Sequence, residues 1–193
     1  DLLGSLNVWC DGQPVLAPAW PSRKTCQLFK ILVTHRHRAV SSDEIIEWLW
    51  PHLTPESARN SLWVAVSRLR RLLEPEKANR GNSTYILTEP PGYRFDPAGR
   101  CELDVEACLG HVAAGRDCQR RGDGPAAIAA YLAAEALYRG DYLAEDPYED
   151  WAIPTRERLR ETFLEAKCNL AVCHLALGRY QDALDHARAV LDH

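Results

Sequence analysis

The 193-residue chain contains no methionine at all, not even at position 1, and its seven cysteines include no CxxC pair. An odd number of cysteines cannot all form disulfides within one chain, so reduced thiols are expected. No apolar run approaches the ~18 residues that a membrane-spanning helix needs, and no signal-peptide core opens the chain. These absences predict a cytoplasmic piece of a longer protein.

Candidate metal ligands occur as His35-x-His37 and as the group Cys168, Cys173 and His174. Neither has the paired spacing of a structural zinc site, and burial is the usual state of a free cysteine. The carboxylates of the second half accompany no glycine-rich loop and no nucleophile motif. We therefore expect no cofactor, no metal and no enzyme activity. The alternative for these cysteines and histidines is a redox or metal sensor.

Charge is distributed unevenly, although the chain carries only −4 in total. Residues 1–100 contain 13 basic and 10 acidic residues, a balance of +3, whereas residues 101–193 contain 10 and 17, a balance of −7. A polyanion is attracted by the first half and repelled by the second. Any nucleic-acid binding is therefore expected from the first half.

The first half shows the order helix, turn, helix. Asp11-Gly12 predicts a turn within a small N-terminal sheet, and helical spacing of apolar residues begins at Ser22. Ser41-Ser42-Asp43-Glu44 is a capping box that starts a short second helix, which Pro51 ends. A turn then leads into a third helix, predicted over Ser57–Leu73.

A β-hairpin is predicted after the third helix. Tyr85–Thr88 and Tyr93–Phe95 have strand composition and are joined through Glu89-Pro90-Pro91-Gly92. A hairpin in this place would form a wing. The fold predicted for residues 1–98 is thus an α+β winged helix-turn-helix.

Beyond residue 98 the composition is alanine-rich and helical, so residues 99–193 are predicted to form a second, all-α domain. Leu177-Gly178-Arg179-Tyr180, followed by Ala183 and Ala187, has the spacing of a tetratricopeptide-like helical hairpin. Arg121-Gly122-Asp123, with Ala127, Tyr131 and Ala134 after it, repeats this spacing. The acidic, aromatic insertion between them is predicted to be a solvated loop in which Tyr148 and Trp151 are candidates for contact with a basic partner.

The third helix has two chemically different faces. At 100° per residue one stripe is apolar and predicts packing on the domain; its members are Ala58, Leu62, Val66, Leu69 and Leu73. The opposite surface and its margins carry mostly polar and basic residues, with one aromatic and one aliphatic residue among them: Arg59, Asn60, Trp63, Val64, Ser67, Arg68, Arg70 and Arg71. Ser57–Leu73 contains neither lysine nor acid, unlike a helix selected only for solubility.

These residue types suit the edges of DNA bases. Arginine and asparagine form bidentate contacts with guanine and adenine, serine suits either base, and Val64 has the shape to meet a thymine methyl group. The surface therefore predicts binding in a DNA groove. An ordinary amphipathic helix whose arginines extend into water is the alternative.

Two motifs resemble one protein family. Ser57-Ala58-Arg59-Asn60-Ser61-Leu62-x-Val64-x-Val66-Ser67-Arg68-Leu69-Arg70-Arg71, followed by Leu87-Thr88-x-Pro90-Pro91-Gly92-Tyr93, is similar to the OmpR/PhoB-type winged helix of SARP-type activators. The region from Cys101-Glu102-Leu103-Asp104 through Tyr138-Arg139-Gly140 resembles that family's bacterial transcriptional activator domain.

The resemblance implies a sequence-specific regulator that activates transcription from promoter direct repeats. It implies base contacts from Ser61, Trp63, Val64 and Arg68, to which the helical-face argument adds Asn60 and Ser67. It also implies contacts with the DNA backbone from Trp50, Arg70, Thr88 and Tyr93. We add three basic neighbours to this set: Arg59, Arg71 and Arg94. The implied partners are double-stranded DNA, a second copy on DNA and RNA polymerase subunits.

Two positions depart from many relatives. Ser42 and Glu89 replace arginines at the start of the second helix and at the wing tip, which removes attraction to phosphates. Arg80, Arg94 or a second subunit would have to compensate. The alternative is a protein-interaction module whose winged helix has lost DNA binding.

Overall fold

The computed structural model describes residues 1–10, 12–15, 19–75, 83–96 and 101–191. Within these ranges the chain forms two compact units: the winged-helix unit, residues 7–101, and the helical unit, residues 1–6 with 102–193. The predicted turn residue Asp11, the compensating Arg80 and the predicted boundary at residue 98 lie outside the described residues.

The described residues of the winged-helix unit form three helices and two small sheets. A two-stranded antiparallel hairpin comes first in the chain. A three-stranded antiparallel sheet is formed by one strand between the first two helices and by two strands after the third helix, with the last strand in the centre. The elements in chain order are β1 Trp9–Cys10, β2 Gln13–Pro14, α1 Arg23–Thr34, β3 Val40–Ser41, α2 Ser42–Leu49, α3 Pro55–Leu73, β4 Ile86–Glu89 and β5 Gly92–Phe95.

Side-chain caps define where the helices of this unit begin. The Ser22 hydroxyl accepts from the amide of Thr25 at 3.1 Å before α1. The predicted capping box is confirmed, since the Ser41 hydroxyl accepts from the Glu44 amide at 3.1 Å and the Glu44 carboxylate accepts from the Ser41 amide at 2.9 Å.

Helix α3 begins at Pro55, two residues earlier than predicted, with Thr54 as its cap. The physical reason is that the first helical position needs no backbone N–H, and the fixed φ of proline suits it. The prediction treated this proline as part of the preceding turn.

The apolar stripe of α3 packs on α1 and α2, as predicted. Ala58, Leu62, Val66 and Leu69 are buried. Leu73 is only half-buried, whereas Ala65, which the prediction left out of the stripe, is buried.

The wing is confirmed as the β4–β5 hairpin, with Thr88 opposite Tyr93 and Glu89 opposite Gly92. Strand β5 also pairs with β3, and a Cβ atom added at Gly92 would lie 1.8 Å from the carbonyl oxygen of Val40. No side chain fits at that distance, so glycine is required where the wing joins the sheet.

The helical unit consists of the two predicted hairpins. Its helices are α4 Asp104–Arg120, α5 Gly124–Leu137, α6 Ile153–Ala176 and α7 Tyr180–Leu191. Gly122 and Gly178 adopt φ of 77° and 72° at the two turns, a conformation that favours glycine.

Small residues bring α4 and α5 close together, as the predicted spacing requires. Ala127, Tyr131 and Ala134 are buried, and a Cβ atom at Gly115 would lie 2.6 Å from the Tyr131 ring. In the second hairpin Ala183 is buried, but Ala187 is exposed and makes no such close approach.

Residues 1–6 belong to the helical unit, in contrast to their predicted place in the first domain. The Asp104 carboxylate accepts from the amides of Leu2 and Leu3 at 2.7 and 2.8 Å, and both leucines are buried. Leu3 also forms an antiparallel bridge with Tyr142. Leu2 and Leu3 therefore pack in the core of the helical unit and are not part of the N-terminal sheet.

The insertion between the hairpins is anchored rather than freely solvated. Tyr142 and Leu143 are fully buried, and Trp151 is buried with its indole N–H donating to Glu149 at 3.0 Å. Trp151 is thus a core residue and not the partner contact that was predicted. Tyr148, by contrast, is 92% exposed.

The seven cysteines are free thiols. Cys108 and Cys173 are buried, and burial raises the pKa of Cys108 to about 11, which disfavours its reactive thiolate. Cys168 is exposed, in contrast to its predicted burial, because it lies on another face of α6 from Cys173.

Among the described residues there is no cluster of three potential metal ligands and no helix that meets the length and hydropathy needed to cross a bilayer.

Candidate nucleic-acid interface

The exposed side of α3 contains most of the predicted base-contacting residues. Trp63 is 66% exposed although it is a large aromatic residue on a helix that packs its other face. We call the exposed residues on this side the α3 surface: Arg59, Asn60, Trp63, Arg68 and Arg71. Ser61, Val64 and Ser67 are half-buried beside it.

The three arginines of the α3 surface carry uncompensated charge. None of Arg59, Arg68 and Arg71 forms an ion pair or hydrogen bond with another residue in the described ranges. Five N–H donors on each guanidinium are therefore available to acceptors outside the protein.

Arg70, on the same helix, is bonded within the protein. Its Nε and Nη2 donate to the carbonyl oxygen of Ile86 at 3.1 and 2.7 Å, and Nη2 also donates to Thr88 Oγ1 at 2.8 Å. The guanidinium lies 5.9 Å from the centre of the Tyr93 ring. A residue expected to contact phosphate therefore joins α3 to the wing.

The predicted backbone contact Arg94 is paired with acids of the wing itself. Its Nε donates to Glu89 Oε2 at 2.7 Å, and Nη2 lies 3.7 Å from Asp96. The hydrogen bond that Arg94 donates to Glu89 raises the pKa of Arg94, as does the charge of the two acids. The wing therefore presents little net positive charge.

Sequence reasoning missed the Glu89–Arg94 pair. Leu87 lies opposite Arg94 across the hairpin, so Glu89 is its diagonal neighbour on the adjacent strand. Opposite charges at such a separation attract, and the two-residue turn at Pro90-Pro91 fixes the register from which this could have been inferred.

The remaining residues predicted to contact the DNA backbone lie at the end of α2 and on the two strands of the wing. Trp50 is half-buried at the C-terminal end of α2, Tyr93 is half-buried on β5, and Thr88 is exposed on β4. Ser42 is the half-buried first residue of α2.

These features define a class. A helix-turn-helix whose second helix presents a basic surface, followed by a β-hairpin in a three-stranded sheet, is a winged-helix domain of the kind that places a helix in the major groove.

Comparison with protein families agrees with this class. Residues 18–95 match the model "Transcriptional regulatory protein, C terminal", and residues 103–193 match the "Bacterial transcriptional activator domain". The first match covers the winged helix through the end of β5, and the second covers the four helices.

Individual relatives are regulators as well. The "Transcriptional regulatory protein EmbR" of Mycobacterium tuberculosis is 37% identical over 103 residues, which are 53% of this chain and 25% of the relative. The "Regulatory protein AfsR" of Streptomyces coelicolor is 27% identical over 164 residues, 85% of this chain and 15% of the relative.

A solved structure extends the likeness to both units. The structure of "Mycobacterium tuberculosis EmbR in complex with low affinity phosphopeptide" has a TM-score of 0.82 and 29% identity, and the match covers 98% of this chain and 48% of that one. The chain thus spans less than half the length of the relatives it matches.

The protein belongs to the SARP-type transcriptional regulators, in which an OmpR/PhoB-type winged helix is followed by a bacterial transcriptional activator domain. The predicted family and the predicted fold class are confirmed.

Proposed function

We propose that this protein activates transcription by binding promoter direct repeats as two copies, with α3 in the major groove and the wing at the adjacent backbone. The observation that carries this proposal is the α3 surface, where three arginines without a partner among the described residues flank Asn60 and an exposed Trp63. A surface of this kind suits base edges and phosphates together.

Within this proposal the residues divide into two roles. Arg68, Asn60 and Trp63 read bases, with the half-buried Ser61, Val64 and Ser67 beside them. Arg59 and Arg71 bind phosphates, and Trp50, Thr88 and Tyr93 contact the backbone at its edges.

Two copies are required because one copy offers few phosphate contacts. Residues 1–100 carry only +3, Ser42 and Glu89 supply no positive charge, and Arg94 is neutralised by Glu89 and Asp96. A second winged helix about one helical turn away, roughly 10 base pairs, doubles the contacts.

The helical unit would then act through protein contacts, since its −7 charge over residues 101–193 repels DNA. Tyr148, 92% exposed among Glu145, Asp146, Glu149 and Asp150, is the residue most available to a basic surface of RNA polymerase. Aromatic side chains are enriched at the centres of such interfaces.

Binding to duplexes with altered half-site spacing tests the proposal. An operator is first selected from a random duplex pool, and probes are then made with 5 or 10 base pairs inserted between the repeats. The 5-base-pair insertion should abolish cooperativity because it rotates one copy to the opposite face, whereas the matched 10-base-pair insertion should retain part of it. Undiminished affinity for the 5-base-pair probe, or for a single half-site, contradicts the two-copy proposal.

The second candidate function is a protein-interaction module without DNA binding. It is favoured by one observation, the internal pairing of Arg94, which leaves no wing arginine free in the described chain. Duplex binding that weakens steeply with salt excludes this candidate, and its complete absence at low salt supports it.

A further inference from the structure

Arg70 and Thr88 form a hydrogen-bonded connection between α3 and the wing. The Arg70 guanidinium makes three donations to β4, two to the Ile86 carbonyl oxygen and one to Thr88 Oγ1 at 2.8 Å. The planar fork of arginine holds these donors in one fixed arrangement. The position of the wing relative to α3 is therefore coupled to this one side chain.

The donation to Thr88 has a chemical consequence. A threonine hydroxyl has one donor hydrogen and acceptor lone pairs, so accepting from Arg70 leaves the hydrogen for another acceptor. Thr88 is exposed, and its side chain makes no other hydrogen bond within the described residues. The hydroxyl hydrogen is therefore available to an acceptor outside the described residues.

We propose that Arg70 is a positioning residue that acts on DNA through Thr88, rather than a direct phosphate contact. Arg70 orients the Thr88 hydroxyl, which donates to a phosphate oxygen beside the wing. This inference deepens the proposed function and rests on it for the identity of the acceptor.

Salt dependence separates this role from a direct contact. A cation bound to phosphate releases a counterion, so its removal lowers the slope of log affinity against log salt by about 1. A neutral hydroxyl donor releases none. Arg70→Gln should therefore weaken binding roughly 10-fold, the loss of about one charge-assisted hydrogen bond, with an unchanged slope.

Arg71→Gln is the matched control, since Arg71 is exposed on the next position of α3. It should lower the slope by about 1. Arg70→Lys retains the charge without the planar fork and should behave like Arg70→Gln. A wild-type-like Arg70→Lys, together with a reduced slope in Arg70→Gln, overturns the proposal.

A double-mutant cycle tests whether Arg70 acts through Thr88. Thr88→Val removes the hydroxyl with little change in shape, and Thr88→Ser restores it. The losses from Arg70→Gln and Thr88→Val should not add, whereas those from Arg71→Gln and Thr88→Val should. Additive losses for the first pair, or failure of Thr88→Ser to recover binding, contradict the proposal.

Amide exchange in the free protein provides a test that does not require DNA. Arg70→Gln should speed exchange across β4, while Arg71→Gln should not. If the wild-type protein binds no duplex, the proposed function fails, yet this measurement still shows whether the connection exists. If Arg70→Gln does not fold, the Thr88 variants still test whether this hydroxyl donates to phosphate. Thr88→Val should weaken binding without changing the salt slope, and Thr88→Ser should restore it.

Discussion

The arginines of the α3 surface and the arginine of the wing differ in whether an acidic side chain pairs with them. On α3, Arg59, Arg68 and Arg71 are exposed without a partner in the described ranges, whereas on the wing Arg94 is bonded to Glu89 at 2.7 Å. Both lie in the unit formed by residues 7–101. The difference shows that arginine contributes to an electrostatic contact surface where it has no acidic partner and to an internally balanced hairpin where it has one.

Bonded arginines serve geometry, and unbonded arginines are available for recognition. Arg70 shows the first role, because its donors are satisfied by Ile86 and Thr88. Substitutions at either kind of arginine, or at the acid that pairs with it, therefore alter one side of this contrast.

The largest effect is expected where the wing joins the sheet. Gly92→Ala places a methyl group on the Val40 carbonyl and should destabilise the protein by about 3 kcal/mol, the upper range for overpacking, with loss of DNA binding. Chemical denaturation measures it. The control Gly110→Ala lies in α4 with nothing within 4 Å and should stabilise by about 0.5–1 kcal/mol. Equal stabilities of the two variants contradict the structure at β5.

Arg68 should account for the next largest effect, on discrimination between sequences. Arg68→Ala should lose about 1–3 kcal/mol of preference for the selected operator over a scrambled duplex, the value of one bidentate base contact. Arg71→Ala should weaken both duplexes equally. Competition titrations measure both ratios, and identical ratios in the two variants disprove the assignment of Arg68 to bases.

Freeing the wing arginine should have a smaller effect of opposite sign. Glu89→Gln removes the carboxylate that holds Arg94, so duplex binding should tighten about 5-fold and its salt slope should steepen by up to 1. Glu89→Arg should tighten it further. The double variant Glu89→Gln, Arg94→Gln is the control and should show no gain; a gain that persists there excludes Arg94 as its source.

The smallest effect concerns acid stability. The hydrogen bond from Arg38 is the main reason that the pKa of Glu44 lies at about 2 rather than 4.5. A lowered folded-state pKa gives stability that is present above pH 4.5 and is lost as the pH falls toward 2. Both side chains are more than a third exposed, so the contribution should be below about 1 kcal/mol. Unfolding of wild type and Arg38→Gln at pH 6 and pH 3 measures it; a difference between them that grows on acidification contradicts this sign.

Much of the fold could be predicted because its determinants are local. The capping box at Ser41, the apolar stripe of α3 and the turn glycines Gly122 and Gly178 each depend on neighbouring residues. What could not be predicted depends on distant partners. Asp104 binds the amides of Leu2 and Leu3 across about a hundred positions, which moves residues 1–6 to the helical unit.

The candidate site divides along the same line. Helical spacing alone could separate the exposed Asn60, Trp63, Arg68 and Arg71 from the buried Leu62 and Leu69. It could not show that Arg70 is bonded within the protein, because its partners Ile86 and Thr88 lie on β4 rather than on α3. The Glu89–Arg94 pair depends on the register of the hairpin and not on helical spacing. Residue type therefore indicated which side chains suit DNA, and tertiary contacts decide which of them are available.

The salt dependence of operator binding by Arg71→Gln and by the double variant Glu89→Gln, Arg94→Gln tests most directly whether the α3 surface, and not the wing, supplies the electrostatic attraction. Arg71→Gln should lower the slope of log affinity against log salt by about 1, whereas the double variant should leave it unchanged because it removes two charges that neutralise each other. A slope lowered by the double variant and unaffected by Arg71→Gln would contradict this assignment of the attraction to α3.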